Sequence, residues 1–278
     1  MRVLSVFVLA VLVVPAPGFA QNAKAGDTMT VSAESTLHLD VVVRDGKGET
    51  TNQLQLVRKE KFAQEVLEAA GGKPTSVRVQ CVASTLQKSG SNIQLEVAPT
   101  ALAGKTYVST LSGGNWVVKG ADGGATPAGG ETLGGWNAVT ALLPAGGPPQ
   151  QGAQWTVEGA VLSSLVYPSG LKEKESAGQL ACTCASVADG KATITFTGQV
   201  SGKAMNEAVV VLAVRKGVLV YDLAKGRPVS LTVSGAVSTS LDIVDRYRKP
   251  NDPTEEEVRK IGEINTRSRR MEATFSFE

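Results

Sequence analysis

Residues 178–244 read GQLACTCASVADGKATITFTGQVSGKAMNEAVVVLAVRKGVLVYDLAKGRPVSLTVSGAVSTSLDIV. The stretch divides into runs rich in Val, Ile, Thr, Leu and Phe: Gln179–Val187, Lys191–Val200, Met205–Arg215, Val218–Leu223 and Pro228–Val244. Each join carries turn residues, at Asp189-Gly190, Ser201-Gly202-Lys203, Lys216-Gly217 and Lys225-Gly226. Short β-forming runs separated by such turns predict an antiparallel meander.

The first hairpin can be argued to its register. A two-residue loop at Asp189-Gly190 would pair Ala185 with Ile194 and set Leu180, Cys182 and Cys184 against the row of Thr193, Thr195 and Thr197. A three-residue loop, Ala188-Asp189-Gly190 with Gly190 left-handed, pairs Cys184 with Ile194 and Cys182 with Phe196. A slip of one residue turns every side chain to the other face. The apolar pattern therefore favours the three-residue loop. Ala208–Val214 is apolar at every position, which predicts a central strand covered on both faces. Pro228 suits the first position of the last strand, and Gly235 suits a bulge or bend within it.

The N-terminal half has the same character. Leu37, Leu39, Val41 and Val43 alternate along a strand over Thr28–Arg44, and Asp45-Gly46-Lys47-Gly48 turns it into a second strand over Glu49–Val57. Lys59–Ala70 changes period. Phe62, Val66, Leu67 and Ala70 stand at helical spacing, followed by Gly71-Gly72-Lys73-Pro74, so a helix is expected there. The competing arrangement is a long hairpin turning at Gly71-Gly72 into a strand over Thr75–Ser84. Ile93–Val97, Lys105–Leu111 and Asn115–Lys119 are short strands. A Gly- and Pro-rich connection over 120–153 separates the N-terminal half, 27–119, from the meander half, 154–278. Two further helices are expected, over Glu158–Val166 and from the capping box Thr254/Glu257. Met271, Ala273, Phe275 and Phe277 alternate as a closing strand.

Met1-Arg2, the apolar run Leu4–Val14 and the small residues Gly18-Phe19-Ala20 have the pattern of a secretory signal peptide, with cleavage expected after Ala20. The expected location is periplasmic or extracellular, with residues 21–278 as a single β-rich domain and no membrane-spanning segment left after cleavage. The formal net charge of +2 provides no basic footprint for nucleic acid.

The candidate motifs fail on context. Gly104-Lys105-Thr106 resembles the end of a phosphate-binding loop, but Pro99 stands where the first glycine belongs. Ser169-Gly170-Leu171-Lys172 matches Ser-x-x-Lys without its companion motifs. His38 is the sole histidine, on the more polar side of its strand, and no Gly-x-Ser-x-Gly elbow accompanies it. Cys182 and Cys184, with Cys81, are better read as buried small hydrophobes than as metal ligands or a bridge. No catalytic, cofactor-binding or metal-ligating residue is assigned, and no cofactor is expected.

Two segments resemble an uncharacterised family of secreted or lipid-anchored bacterial proteins. One runs from Leu143-Pro144 to Gly152-Ala153-Gln154-Trp155-Thr156-Val157. The other runs from Asp189-Gly190-Lys191-Ala192-Thr193-Ile194 through Gly217-Val218-Leu219-Val220-Tyr221-Asp222 to Gly226-Arg227-Pro228-Val229-Ser230-Leu231. Family members carry Gly-Asp-x-Trp where this chain has Gly152-Ala153-Gln154-Trp155. The resemblance implies no activity and transfers no site residue. A meander of long curled strands with a helix against it is also similar, at the level of fold, to the open barrel of periplasmic lipoprotein carriers.

The expected fold is mostly β: an antiparallel curled sheet or incomplete barrel of roughly 9–12 strands with two or three short helices. A two-sheet sandwich is the alternative. The expected function is the binding of a lipid or other hydrophobic ligand in the curl. The alternative is a structural or protein-interaction module of the cell envelope.

Overall fold

The computed structural model describes residues 23–46, 48–91, 93–112, 115–123, 139, 142–144, 147–158, 177–203, 209–249 and 252–278. The leader expected over 1–20, the Ser169–Lys172 motif and all but the first residue of the expected helix Glu158–Val166 lie outside them.

The strands are β1 (Thr28–Asp45), β2 (Gly48–Ala70), β3 (Lys73–Gly90), β4 (Ile93–Pro99), β5 (Thr106–Ser112), β6 (Asn115–Gly120), β7 (Gln154–Glu158), β8 (Ala177–Ala188), β9 (Lys191–Lys203), β10 (Val209–Asp222), β11 (Arg227–Lys249) and β12 (Asp252–Phe277). All twelve belong to one antiparallel sheet in the order β6-β5-β3-β2-β1-β12-β11-β10-β9-β8-β7, with β4 on the other end of the edge of β3. One sheet, curled round its apolar face, replaces the sandwich alternative. The first and last strands pair with each other, Val31 opposite Phe277 and Leu37 opposite Met271. The two edges, β6 and β7, are the strands that the Gly- and Pro-rich connection joins.

Two expected helices are strands instead. β2 runs unbroken to Ala70 and turns at Gly71-Gly72, both at positive φ, 59° and 76°. This is the long-hairpin alternative. Its inward positions are Leu54, Leu56, Arg58, Glu60, Phe62, Gln64 and Val66, all buried. Alternation holds throughout, but three of the inward residues are polar, which hides the period of two. Residues 252–260 pair with β11 through contacts such as Arg248↔Glu256 and Val244↔Lys260, so the capping-box pattern does not start a helix. The backbone of the segment is spent on a strand partner instead.

The hairpin at Asp189-Gly190 reconciles two signals. Asp189 (φ 50°) and Gly190 (φ 70°) form a two-residue turn, with Ala188 paired to Lys191. Cys184 nevertheless pairs with Ile194 and Cys182 with Phe196, as the apolar pattern requires. The slip is absorbed by a bulge between Cys184 and Ser186 rather than by a longer loop. A second bulge replaces the turn expected at Lys216-Gly217, so Val209–Asp222 is one strand. That strand is central, as expected, but only one of its faces is buried: Val209 is 44% exposed, and Val211 and Ala213 are half-buried.

Candidate functional site

Among the described residues, the inner face of the sheet carries the main cluster of buried apolar side chains. Residues directly opposite across a ladder share a face, so it can be followed strand by strand. Leu56, Leu37 and Met271 form one such row across β2, β1 and β12. Phe275, Leu231, Leu219, Ile194 and Cys184 form another from β12 to β8. One cluster of buried apolar side chains takes in residues of β1, β2 and β7–β12, together with Val139 and Leu142 from the connection. Leu142 is held by its carbonyl, which accepts a hydrogen bond from Trp155 Nε1 at 3.1 Å. Phe196 lies over Gly217, where a Cβ would collide with the ring.

A second cluster, with Phe62, Val77, Val79, Cys81, Leu102, Tyr107 and Val118, lies under β2, β3, β5 and β6. Where the two clusters meet on β2, the inner face becomes charged. Arg58 (7% exposed) donates from Nη2 to Glu60 Oε1 (5% exposed) at 2.5 Å. The same carboxylate oxygen accepts from Ser84 Oγ at 2.8 Å. Thr100 Oγ1 donates to Ser84 Oγ at 2.6 Å, and the Leu102 N–H donates to Thr100 Oγ1 at 3.3 Å. The result is a directed chain of donors running from the 100–105 loop onto a buried carboxylate.

Burial pushes the Glu60 carboxyl above its ordinary range, against the opposing charge and hydrogen bond of Arg58 and the hydrogen bond of Ser84. The chain is incomplete at its other end. Among the described residues, Arg58 Nε is buried without an acceptor. Further along β2, both amide atoms of Gln64 (3% exposed) are without a partner among the described residues, as is the Ser109 hydroxyl on β5. An unsatisfied buried polar atom costs about 1–3 kcal/mol.

The sequence motifs are placed differently. His38 lies on the outer face of β1, between Arg270 and Gln55 of the neighbouring strands. It lines a shallow groove of about 280 Å³ together with Gln55, Ser89 and Ser91. The Gly104-Lys105 pair sits in the tight loop before β5. The N–H groups of Ala103, Gly104 and Lys105 are already spent on Thr100, Cys81 and Leu102 carbonyls, so none is left to cradle a phosphate.

All three cysteines are buried and free. Burial raises the Cys81 thiol to about 12, helped by the charge of Glu60, and the Cys182 thiol to about 11. Neither is a nucleophile at neutral pH. Among the described residues, no group of three or more His, Cys, Asp or Glu could hold a metal ion, and no helix is long and apolar enough to cross a membrane. Arg58, Glu60 and Gln64 were absent from the sequence candidates. The signal that locates them is their alternation with Leu56, Phe62 and Val66.

No family model and no curated protein matches the chain. Among solved structures it is distantly similar to lipovitellin, with 9% identity over 92% of this chain and a TM-score of 0.43. The chain spans a quarter of the length of that protein, 25%. It is also distantly similar to a putative outer membrane lipoprotein-sorting protein domain from Vibrio parahaemolyticus, with 8% identity, 86% of this chain and 84% of that one covered, and a TM-score of 0.16. Likenesses at these scores carry no functional argument.

Proposed function

We propose that the chain is an exported envelope protein that holds a lipid or other hydrophobic ligand against the inner face of its curled sheet. The observation that carries this reading is the single apolar surface shared by β1, β2 and β7–β12. On one side it ends at the edge strand β7; on the other, beyond β2, the sheet continues over the second cluster to β6, and among the described residues β6 and β7 are not paired. Burial of an elongated apolar chain against these aliphatic side chains contributes about 25 cal/mol per Å². Export rests on the leader pattern of residues 1–20, and the periplasm or cell exterior is the proposed location. Residues 21–278 act as one binding unit.

The test is mass spectrometry of material that co-purifies with the chain from a native extract. A stoichiometric lipid or acylated molecule supports the reading. An empty protein that also takes up no fluorescent lipid contradicts it.

A second reading is a structural or protein-interaction module whose sheet is filled by its own side chains. The full burial of Leu180, Ile194, Leu219 and Leu231, each at 0% exposure, favours it. An empty protein in the same experiment selects this account.

A further inference from the structure

We propose that Arg58 is the head-group anchor of the ligand and that it takes a carboxylate at the end of an acyl chain. The inference rests on the hydrophobic-ligand reading above and adds the polar end of the molecule to it. A core filled only by its own side chains gains little from a buried ion pair, which apolar residues of similar volume replace without loss. Arg58 nevertheless stands at an inward position of β2, between Leu56 and Glu60.

Its guanidinium is a planar fork whose edge matches the two oxygens of a carboxylate. Of the donors along that edge, Nη2 is engaged by Glu60 Oε1, and Nε is buried without an acceptor among the described residues.

The space beside it is also distinctive. Directly opposite Arg58 are Ser35 on β1 and Leu86 on β3, and beyond Ser35 is Ala273 on β12. Met29, Val31, Ala33, Leu37 and Leu39, the other inward positions of β1 in this region, are all buried, whereas Ser35 is half-buried. A small side chain with residual access thus stands directly across the ladder from Arg58. An apolar row, Leu56, Leu37 and Met271, lies immediately to one side and provides the bed for the first part of an acyl chain. The Glu60 carboxylate on the other side sets the orientation, because it repels an acid head placed there. Thr100 and Ser84 hold Glu60 in that position through their hydrogen bonds.

The experiment titrates the full chain with 11-(dansylamino)undecanoic acid and with its methyl ester, following dansyl fluorescence. The acid is expected to bind at least about tenfold more tightly than the ester, the scale of one charge-assisted bond pair. Arg58→Met is expected to abolish that preference while still binding the ester. Glu60→Gln, which keeps the size of the side chain and removes the competing charge, is expected to raise acid affinity several-fold and serves if Arg58→Met does not fold. Gln64→Leu, six residues or about 20 Å further along the strand, is expected to leave the preference unchanged. Equal binding of acid and ester by the unmodified chain, or a preference that Glu60→Gln does not alter, overturns the anchor and leaves the hydrophobic-ligand reading standing. Binding of neither probe overturns both.

Discussion

Two hairpins of the same sheet fill their inner positions in opposite ways. In β8–β9 the facing pairs are Leu180 with Gly198, Cys182 with Phe196 and Cys184 with Ile194. In β2–β3 they are Arg58 with Leu86, Glu60 with Ser84, Phe62 with Cys81 and Gln64 with Val79. The first is an ordinary apolar core, in which small residues make room for a ring. The second inserts a charge pair and an unpartnered amide between two apolar clusters. One backbone architecture therefore carries two energetic regimes. Packing density governs the C-terminal hairpin, and satisfaction of buried polar groups governs the N-terminal one.

The contrast is broken most severely by removing one partner of the pair. Arg58→Ala leaves Glu60 buried and uncompensated and is expected to destabilise the fold by about 3–5 kcal/mol in urea unfolding. The double change Arg58→Met with Glu60→Leu is expected to restore stability to the starting level or above. A double variant as unstable as the single one would mean that the pair is essential to packing.

On the apolar hairpin a truncated core side chain has no charged partner whose removal restores stability. Ile194→Ala, at a fully buried site, is expected to cost about 2–5 kcal/mol through lost burial and the cavity left behind. Gly217→Ala drives a methyl group into the Phe196 ring and is expected to cost about 1–3 kcal/mol. Combining it with Phe196→Leu should recover part of the loss.

Acidity sharpens the comparison further. The folded-state pKa of Glu60 is raised above its ordinary value of 4.5. Its contribution is therefore fully present below that value and is lost as pH rises through the folded pKa. The stability of the unmodified chain relative to Glu60→Gln should fall as pH increases from about 4.5. A flat difference across that window would show that Glu60 stays hydrated.

The smallest expected effect is on thiol chemistry. With Cys81 at about 12 and Cys182 at about 11, the native chain should react negligibly with a disulfide reagent at pH 8. All three thiols should become available in denaturant.

The apolar hairpin was legible from its residues because two independent signals are written there. Asp189-Gly190 specifies the turn, and the alternation of Leu180, Cys182 and Cys184 with Ile194 and Phe196 specifies the face. The two demand registers one residue apart. The bulge that satisfies both falls at Ala185, a small residue with no chemical mark of its own.

Lys59–Ala70, the second half of β2, reads as a helix with the long hairpin as its alternative for a related reason. Arg58, Glu60 and Gln64 occupy inward positions, so the alternation looks broken and the remaining apolar residues, Phe62, Val66, Leu67 and Ala70, happen to match a helical period. Polar groups also point inward on β12, where Thr266 bonds to Thr239 Oγ1 and Ser268 Oγ accepts from the Val237 N–H, both at 2.6 Å. Local pattern fails where the fold places polar groups inside, and those places include the candidate anchor.

The central claim is that a hydrophobic ligand lies on the inner face. Trp155 on β7 pairs with Cys182 on that face and packs against the main cluster. With Trp116→Phe and Trp136→Phe it becomes the sole tryptophan of the three in the chain. The most direct measurement is quenching of its fluorescence by a brominated fatty acid, with the unbrominated acid as control. Saturable quenching at about one ligand per chain, reversed by the unbrominated acid, is the predicted result. Unchanged Trp155 emission at saturating acid would contradict the account and leave the sheet as a self-filled structural module.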